Sequence, residues 1–68
     1  MELSARNQLA GTVKEVRKGA AIANVVVDVG GQRIVSSITV EAADELGLAE
    51  GSDVTVIVKA SDVILATA

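Results

Sequence analysis

Two runs of β-forming residues are separated by only two glycines, and this arrangement constrains the fold more than any other feature of the chain. Residues 20–29 and 32–38 both contain valine and isoleucine at alternating positions, and Gly30-Gly31 lies between them. A two-residue connection in which both residues can take positive φ is typical of a tight β-hairpin. The 20–29 run is apolar on one face and partly apolar on the other, so we expect another subunit to cover its second face.

The remainder of the chain predicts three further strands. We expect a first strand at 9–17, with Gly11 as a β-bulge, a fourth strand at 54–58 and a last short strand at 63–65. Strand, hairpin, strand, short helix and two more strands is the order of a five-stranded OB-like barrel. The sequence therefore predicts an all-β fold with one short helix, and residues 1–68 form a single domain.

A short helix is predicted after the third strand, where the side-chain period changes. Thr39 is a preferred N-cap residue, acidic residues follow it, and Gly47 is a typical C-cap. These signals indicate a helix of about two turns. Three apolar residues are expected to face the barrel interior, namely Val40, Ala43 and Leu46.

The size and composition of the chain predict self-association. It has 68 residues and contains no cysteine, histidine or aromatic residue. A hydrophobic core of this size is marginal in a monomer, and disulfides, a metal or oligomerisation usually compensate. Without cysteine and histidine, disulfides are excluded and a zinc or iron–sulfur site lacks its usual ligands. We therefore expect a homo-oligomer with no redox cofactor and no metal held by protein ligands.

Charge and hydropathy patterning disfavour two classes of partner. No uninterrupted apolar run is longer than a few residues, and the first residues lack the apolar core of a signal peptide. We expect a cytoplasmic protein with no membrane association. The net charge of −3 argues against general nucleic-acid binding, because phosphate contacts need an excess of cations.

The residue types that most enzyme mechanisms need are missing. Histidine and cysteine, the usual general base and thiol nucleophile, are absent from the sequence. The predicted helix carries three carboxylates, Glu41, Asp44 and Glu45. Their spacing is interpreted as a solvated helix face in preference to an acid–base pair. We therefore expect a non-catalytic protein.

Two segments near opposite ends of the chain share a chemistry that suits an oxyanion. Residues 4–8 and 59–61 each combine small side chains, a hydroxyl group and one cation, with no carboxylate. Small side chains leave backbone N–H groups reachable, and a hydroxyl with a fixed positive charge completes a donor-rich pocket. The helix N-terminus adds the N–H groups of Val40, Glu41 and Ala42. We expect these donors to meet across a contact between chains.

Structural interpretations of the same residues stay open. Ser4 can cap a single helical turn before the first strand, Arg6 can pair with a surface carboxylate, and Lys59 can extend from a strand end into water. A basic cluster near the end of the first strand is either a solvated strand edge or a surface for a ligand or partner. Its members are Lys14, Arg17 and Lys18.

Three motifs resemble those of molbindins, small cytoplasmic proteins that consist of one molybdate-binding Mop domain. The motifs are Ser-Ala-Arg-Asn-Gln-Leu-x-Gly at 4–11, Glu-Leu-Gly-Leu at 45–48 and Val-Lys-Ala-Ser-Asp-Val at 58–63. The resemblance covers essentially the whole chain. It implies an OB-like barrel assembled as a homohexamer, a trimer of dimers, that holds molybdate or tungstate at subunit interfaces.

The resemblance also implies a set of oxyanion-binding residues. By matching positions, these are Ser4, Ala5, Arg6, Thr39, Ala42, Lys59, Ala60 and Ser61. Ala42 stands where a hydroxyl residue is often found, so only its backbone N–H would donate there. A second class of site, lined by backbone groups on three-fold axes, is implied as well. Our candidates for it are Lys18, Gly19 and Ala20.

Three functions follow as hypotheses. The first is non-catalytic binding and storage or buffering of molybdate and tungstate, which serves molybdenum homeostasis. The second is an oligomerisation or sensor module without its own anion store. The third is an OB-type single-stranded nucleic-acid binder. It is the least favoured, because such modules stack bases on aromatic side chains in a basic groove and this chain has no aromatic residue and a net negative charge.

Overall fold

The computed structural model describes residues 3–68, which form four β-strands and one short α-helix. The elements are β1 (Asn7–Lys18), β2 (Ile22–Val29), β3 (Gln32–Thr39), α1 (Val40–Glu45) and β4 (Asp53–Val58), followed by a 3₁₀ turn at Ala60–Asp62. The strands pair antiparallel in the order β3-β2-β1-β4. No helix in this part of the chain has the length and hydrophobicity that crossing a bilayer requires.

The predicted hairpin between β2 and β3 is confirmed. Val29 pairs with Gln32, so Gly30 and Gly31 form a two-residue connection. Their φ angles are 56° and 87°, a region that residues with a Cβ atom rarely adopt. Both central positions of a type I′ turn need positive φ, and this turn matches the twist of the flanking strands.

The β-bulge of β1 lies at Lys14, so the prediction of a bulge at Gly11 is wrong. The register of β1 against β2 skips one residue between Val13 and Glu15. Gly11 has a different structural role, because a Cβ atom built on it would lie 2.6 Å from Cγ1 of Val27. Glycine within a strand is typical both of bulges and of close backbone approach, so the sequence pattern alone does not separate the two.

The helix α1 has six residues and ends earlier than predicted. Its C-cap is Leu46, and Gly47 is the next residue, with a φ of 63°. The Gly47 N–H donates to the Asp44 carbonyl (3.0 Å), and the Leu48 N–H donates to the Ala43 carbonyl (3.1 Å). These two hydrogen bonds form a Schellman motif, which satisfies the last carbonyls of the helix. Leu46 lines the open groove beside Val13 and Val25, as predicted, but it is 69% exposed because the single chain leaves this groove uncovered.

The hydrophobic core is formed almost entirely by small aliphatic residues on one face of the sheet. Val13, Val25 and Val27 are each at most 3% exposed, and α1 adds the buried Ala43. Half-buried side chains surround this cluster, namely Val16, Val29, Ile34, Ile38, Leu48, Val54 and Val56. Valine packs well on a pleated surface, so the alternation in the sequence was a sufficient guide to this face.

The opposite face of the β2–β3 hairpin remains partly apolar and uncovered. Ile22 and Val35 are each 50% exposed, and Val35 pairs with the half-buried Val26. The chain itself places nothing over these side chains among the described residues. The predicted apolar character of this second face is confirmed, and its coverage by another subunit stays a prediction.

A fifth strand is not formed within residues 3–68, so the prediction of a strand at 63–65 is wrong for the single chain. Val63, Ile64 and Leu65 are 47%, 93% and 87% exposed, and they pair with no strand. The 3₁₀ turn, closed by the Asp62 N–H donating to the Lys59 carbonyl (2.9 Å), redirects the chain at the end of β4. The sheet is consequently open, with β3 and β4 as free edges.

Candidate functional site

The pairing of β1 with β4 brings the two oxyanion motifs to one end of the sheet. Asn7 and Val58 are cross-strand partners, so Arg6 and Lys59 are the next residues outward on the two strands. The side chain of Asn7 also donates to the Val58 carbonyl (3.1 Å). A side-chain hydrogen bond to the facing strand holds the two chain segments together at this end.

This register corrects one expectation from the sequence. We expected the 4–8 and 59–61 segments to meet across a contact between chains, and they already meet within one chain. The cause is topological, because the first and fourth strands are antiparallel neighbours although they lie far apart in sequence. We call this end of the molecule, formed by residues 4–6 and 59–61, the cation end.

The cation end is exposed and carries two positive charges. Arg6, Lys59 and both serines, Ser4 and Ser61, are exposed, whereas Ala5 is half-buried. The ion pairs formed among residues 3–68 lie elsewhere, so neither cation is neutralised by a described carboxylate. Hydroxyls, backbone N–H groups and two cations of this kind provide donors for an anion and no strong acceptor for a metal ion.

Thr39 and Ala20 lie together at the other end of β1. Thr39 is the cross-strand partner of Ile22, and the Val40 N–H donates to the Ala21 carbonyl (2.8 Å). Thr39 and Ala20 line one surface pocket together with Ala21, Val40 and three carboxylate residues, Glu41, Asp44 and Glu45. The structure therefore brings together one candidate of the first site class, Thr39, and one of the second, Ala20, at the opposite end of β1 from the cation end.

Thr39 is the N-cap of α1, and this role changes what the helix can offer an anion. Its Oγ1 accepts a hydrogen bond from the Ala42 N–H (3.0 Å), so this N–H already has an acceptor within the chain, and its donation to a ligand stays a prediction. The Val40 N–H donates to the Ala21 carbonyl. Of the three predicted N–H donors, only that of Glu41 has no acceptor among residues 3–68. The hydroxyl proton of Thr39 remains free to donate, because only the oxygen lone pair is used in the cap.

The cap role of Thr39 gives a prediction for stability. We expect Thr39→Val to lower the free energy of unfolding by about 1 kcal/mol, because valine keeps the shape of threonine and removes the capping oxygen. Urea denaturation followed by circular dichroism measures this difference. Thr39→Ser is the matched control and retains the cap. Equal stability of the serine and valine variants would show that the cap contributes nothing.

The candidates for a second site class already have partners within the chain. The Lys18 ammonium pairs with the Asp44 carboxylate at 2.6 Å, and the Gly19 N–H donates to the Ile22 carbonyl (2.8 Å). Ala20 is exposed. Sequence reasoning did not identify Asp44 as the partner of Lys18, because the contact joins residues that are 26 positions apart.

The three cations of the basic cluster on β1 make different contacts. Arg17 forms an ion pair with Glu15, Lys18 pairs with Asp44, and Lys14 is exposed at the bulge. Two of its three charges are thus matched by carboxylates at the surface. This arrangement favours the solvated strand edge over a concentrated ligand surface, because paired surface charges attract little at a distance.

Comparison with known proteins places the chain in a family. Residues 3–65 match the TOBE domain. The chain belongs to the TOBE domain family. This TOBE domain is 44% identical over 66 residues to "Molybdenum-pterin-binding protein 2" of Clostridium pasteurianum, an alignment that covers 96% of this chain and 97% of that protein.

Solved structures resemble this TOBE domain along nearly its whole length. A molybdate-binding protein from Sporomusa ovata superposes with a TM-score of 0.94 at 39% identity, and the alignment covers 98% of this chain and all of that one. The cytoplasmic molybdate-binding protein ModG, solved with molybdate bound, gives a TM-score of 0.90 at 48% identity over 94% of this chain and 46% of ModG. The resemblance to molbindins is thereby confirmed, as is an all-β, OB-like fold with one short helix.

Proposed function

We propose that this TOBE domain binds molybdate, and tungstate at the same site, without catalysing a reaction. Its role would be to store or buffer these oxyanions in the cytoplasm and so to serve molybdenum homeostasis. The observation that carries the proposal is the cation end, where the β1–β4 register sets Arg6 beside Lys59. Relatives of similar length that are named for binding molybdenum-pterin or molybdate support it.

The chemistry of the cation end matches that of a tetrahedral dianion. Molybdate offers four oxygen acceptors and no donors, so a suitable host presents N–H and O–H groups and few carboxylates. Arg6 and Lys59 supply charge-assisted hydrogen bonds, each worth roughly 1.5–3 kcal/mol net. Ser4 and Ser61 supply hydroxyls, and the small Ala5 and Ala60 leave the backbone N–H groups of the two segments reachable. The metal atom enters only as part of the oxyanion.

A complete site requires two chains if Thr39 takes part. Thr39 and the cation end lie beyond opposite ends of the 12-residue strand β1, whereas ligand hydrogen bonds span only about 3 Å. We propose that the cation end of one subunit meets the Thr39 hydroxyl of another in a homohexamer, a trimer of dimers. The proposal also includes a second class of site at Lys18, Gly19 and Ala20. Within the chain, Lys18 pairs with Asp44 and the Gly19 N–H donates to Ile22, whereas no such contact is described for Ala20.

Thermal unfolding tests anion binding directly. A ligand that binds only the folded state stabilises it by about 2.7 kcal/mol at a concentration of 100 Kd. For a domain of this size that corresponds to a rise in Tm of roughly 10–20 °C. We expect this rise with molybdate and with tungstate, and potassium chloride of equal ionic strength is the control. An unchanged Tm at saturating molybdate would contradict the proposal.

A second candidate function is a module that self-associates without holding an anion. The observation in its favour is the trio of carboxylates, Glu41, Asp44 and Glu45, which line the pocket at Thr39 and would repel a dianion. Elemental analysis separates the two functions. We expect molybdenum in stoichiometric amounts in protein purified from cells that were grown with molybdate, and metal-free protein that still assembles would favour the second candidate.

We propose neither nucleic acid nor a membrane as a partner. The chain has no aromatic residue for stacking against bases, and its net charge is −3. Single-stranded nucleic-acid modules of the OB type rely on stacking and on a basic groove.

A further inference from the structure

Asn7 lies at the boundary between the ordered sheet and the cation end. It is the first residue of β1 and pairs with Val58, the last residue of β4. Arg6 and Lys59 are the next residues outward, and neither belongs to a strand. The two cations therefore lie just beyond the last pair of the β1–β4 ladder.

The side chain of Asn7 adds a cross-strand contact at this last pair. Its Nδ2 donates to the Val58 carbonyl at 3.1 Å, and the residue is half-buried although it ends the strand. Within residues 3–68, this is the only side-chain hydrogen bond that joins β1 to β4. Chain segments with few buried contacts open most readily. A hydrogen bond at the final pair opposes this opening.

The charges beyond the last pair act in the opposite direction. Arg6 and Lys59 are both exposed, and neither forms an ion pair with a carboxylate among residues 3–68. Like charges that face each other on neighbouring strands are destabilising. A bound oxyanion would relieve this repulsion, but the empty protein has to hold the two cations together without it. Order that exists before binding raises affinity, because less freedom is lost when the ligand arrives.

The amide group of Asn7 suits this position better than a carboxylate of the same shape. An ionised aspartate has no hydrogen to donate to the Val58 carbonyl. It would also place a negative charge next to Arg6 and Lys59, where it would pair with the cations and repel a dianion. Asparagine donates the hydrogen bond and carries no charge.

We propose that Asn7 is a positioning residue for the anion site, and that it keeps Lys59 beside Arg6 in the empty protein against their mutual repulsion. It acts through the Val58 carbonyl, and so through the placement of the two cations. The inference rests on the proposed anion binding and assigns a role in it to a residue outside the predicted oxyanion-binding set.

Nuclear magnetic resonance relaxation of the protein without molybdate tests the positioning. We expect the backbone order parameters at Arg6 and Lys59 to fall in Asn7→Ala from the rigid range, about 0.85, towards the flexible range, below about 0.6. The fall should be larger at about 0.01 M than at about 1 M ionic strength, because the Debye length shortens from roughly 30 Å to 3 Å and salt screens the repulsion. A merely structural role of Asn7 would give a fall that salt does not change.

Asn24→Ala is the matched control. Asn24 is an amide residue of β2, and its side chain contacts Ser37 of β3, so the variant breaks a contact between two other strands. We expect the order parameters at Arg6 and Lys59 to stay at their wild-type values. Unchanged order in Asn7→Ala, or a loss that is independent of salt, would overturn the proposal.

Calorimetric titration with sodium molybdate tests the consequence for binding. We expect Asn7→Ala to weaken binding by about 3–10-fold, the range for one neutral hydrogen bond, and Asn7→Asp to weaken it more. The loss caused by Asn7→Ala should be smaller in a Lys59→Ala background, because the repulsion is then absent. Equal losses in both backgrounds would contradict positioning through Lys59. A wild-type chain that binds no molybdate would refute the proposed function, whereas relaxation of the empty protein still decides what Asn7 does.

Discussion

Replacement of both Arg6 and Lys59 by alanine is expected to weaken molybdate binding by a factor on the order of 10² to 10⁴. Each cation supplies a charge-assisted hydrogen bond worth roughly 1.5–3 kcal/mol, and every 1.4 kcal/mol is about a factor of ten in affinity. The register of Asn7 with Val58 sets the two residues side by side. Each single variant should therefore lose about 10–100-fold. Isothermal titration calorimetry with sodium molybdate measures the loss.

The control for this experiment is Lys14→Ala. Lys14 is an exposed cation at the bulge of β1 and away from the cation end, so its removal changes the net charge by one unit, as each single variant does. We expect its affinity to stay within about twofold of wild type, because exposed charges beyond a Debye length of roughly 8–10 Å are largely screened. Full affinity in the double variant would remove the cation end from the proposed site.

The second large effect is expected at Gly11. A Cβ atom there would lie 2.6 Å from Cγ1 of Val27, 3.0 Å from the Asp28 carbonyl oxygen and 3.1 Å from Cγ2 of Val29. Two of these neighbours belong to the packed interior and the third is backbone, so none can move freely. We expect Gly11→Ala to lower the free energy of unfolding by about 1–3 kcal/mol, the usual cost of overpacking. For a domain of this size, this corresponds to a fall in Tm of roughly 5–20 °C.

A double-mutant cycle shows whether the steric contact is the cause. Val27→Ala removes the closest atom and leaves space that the new Cβ of Gly11→Ala can occupy. The double variant should therefore be more stable than the sum of the two single effects implies, by more than the roughly 0.5 kcal/mol expected for independent sites. Strict additivity would indicate that the contacts with the Asp28 carbonyl oxygen and Val29, and not the contact with Val27, set the effect.

The fold was predictable wherever a local pattern had only one structural solution. Gly30-Gly31 between two β-forming runs indicated the hairpin, and the alternation in 20–29 indicated the buried face that contains Val25 and Val27. Thr39 was recognised as the N-cap because its hydroxyl and the following acidic residues are local signals. The packing of Gly11 and the exposure of Leu46 were less predictable, because both depend on neighbours from distant parts of the chain.

The candidate site was predictable in its chemistry and not in its arrangement. The small residues, hydroxyls and cations of the 4–8 and 59–61 segments indicated an anion ligand before any contact was known. Sequence reasoning did not show that Lys18 pairs with Asp44, which is 26 positions away, because a local pattern specifies only one member of such a pair. The use of the Ala42 N–H by Thr39 follows from the N-cap assignment itself, since an N-cap side chain accepts from one of the first helical N–H groups.

The sequence by itself determined the strand-rich fold class, the hairpin turn and the donor-rich character of the two motifs. Each of these depends on residue types and on spacings of a few positions. Only the tertiary structure decided that the two motifs share one end of a single chain, that Thr39 lies beyond the other end of β1, and that residues 63–68 leave their own barrel open. The physical reason is that strand order and register are set by burial of the whole sheet, in which residues some 50 positions apart become direct neighbours.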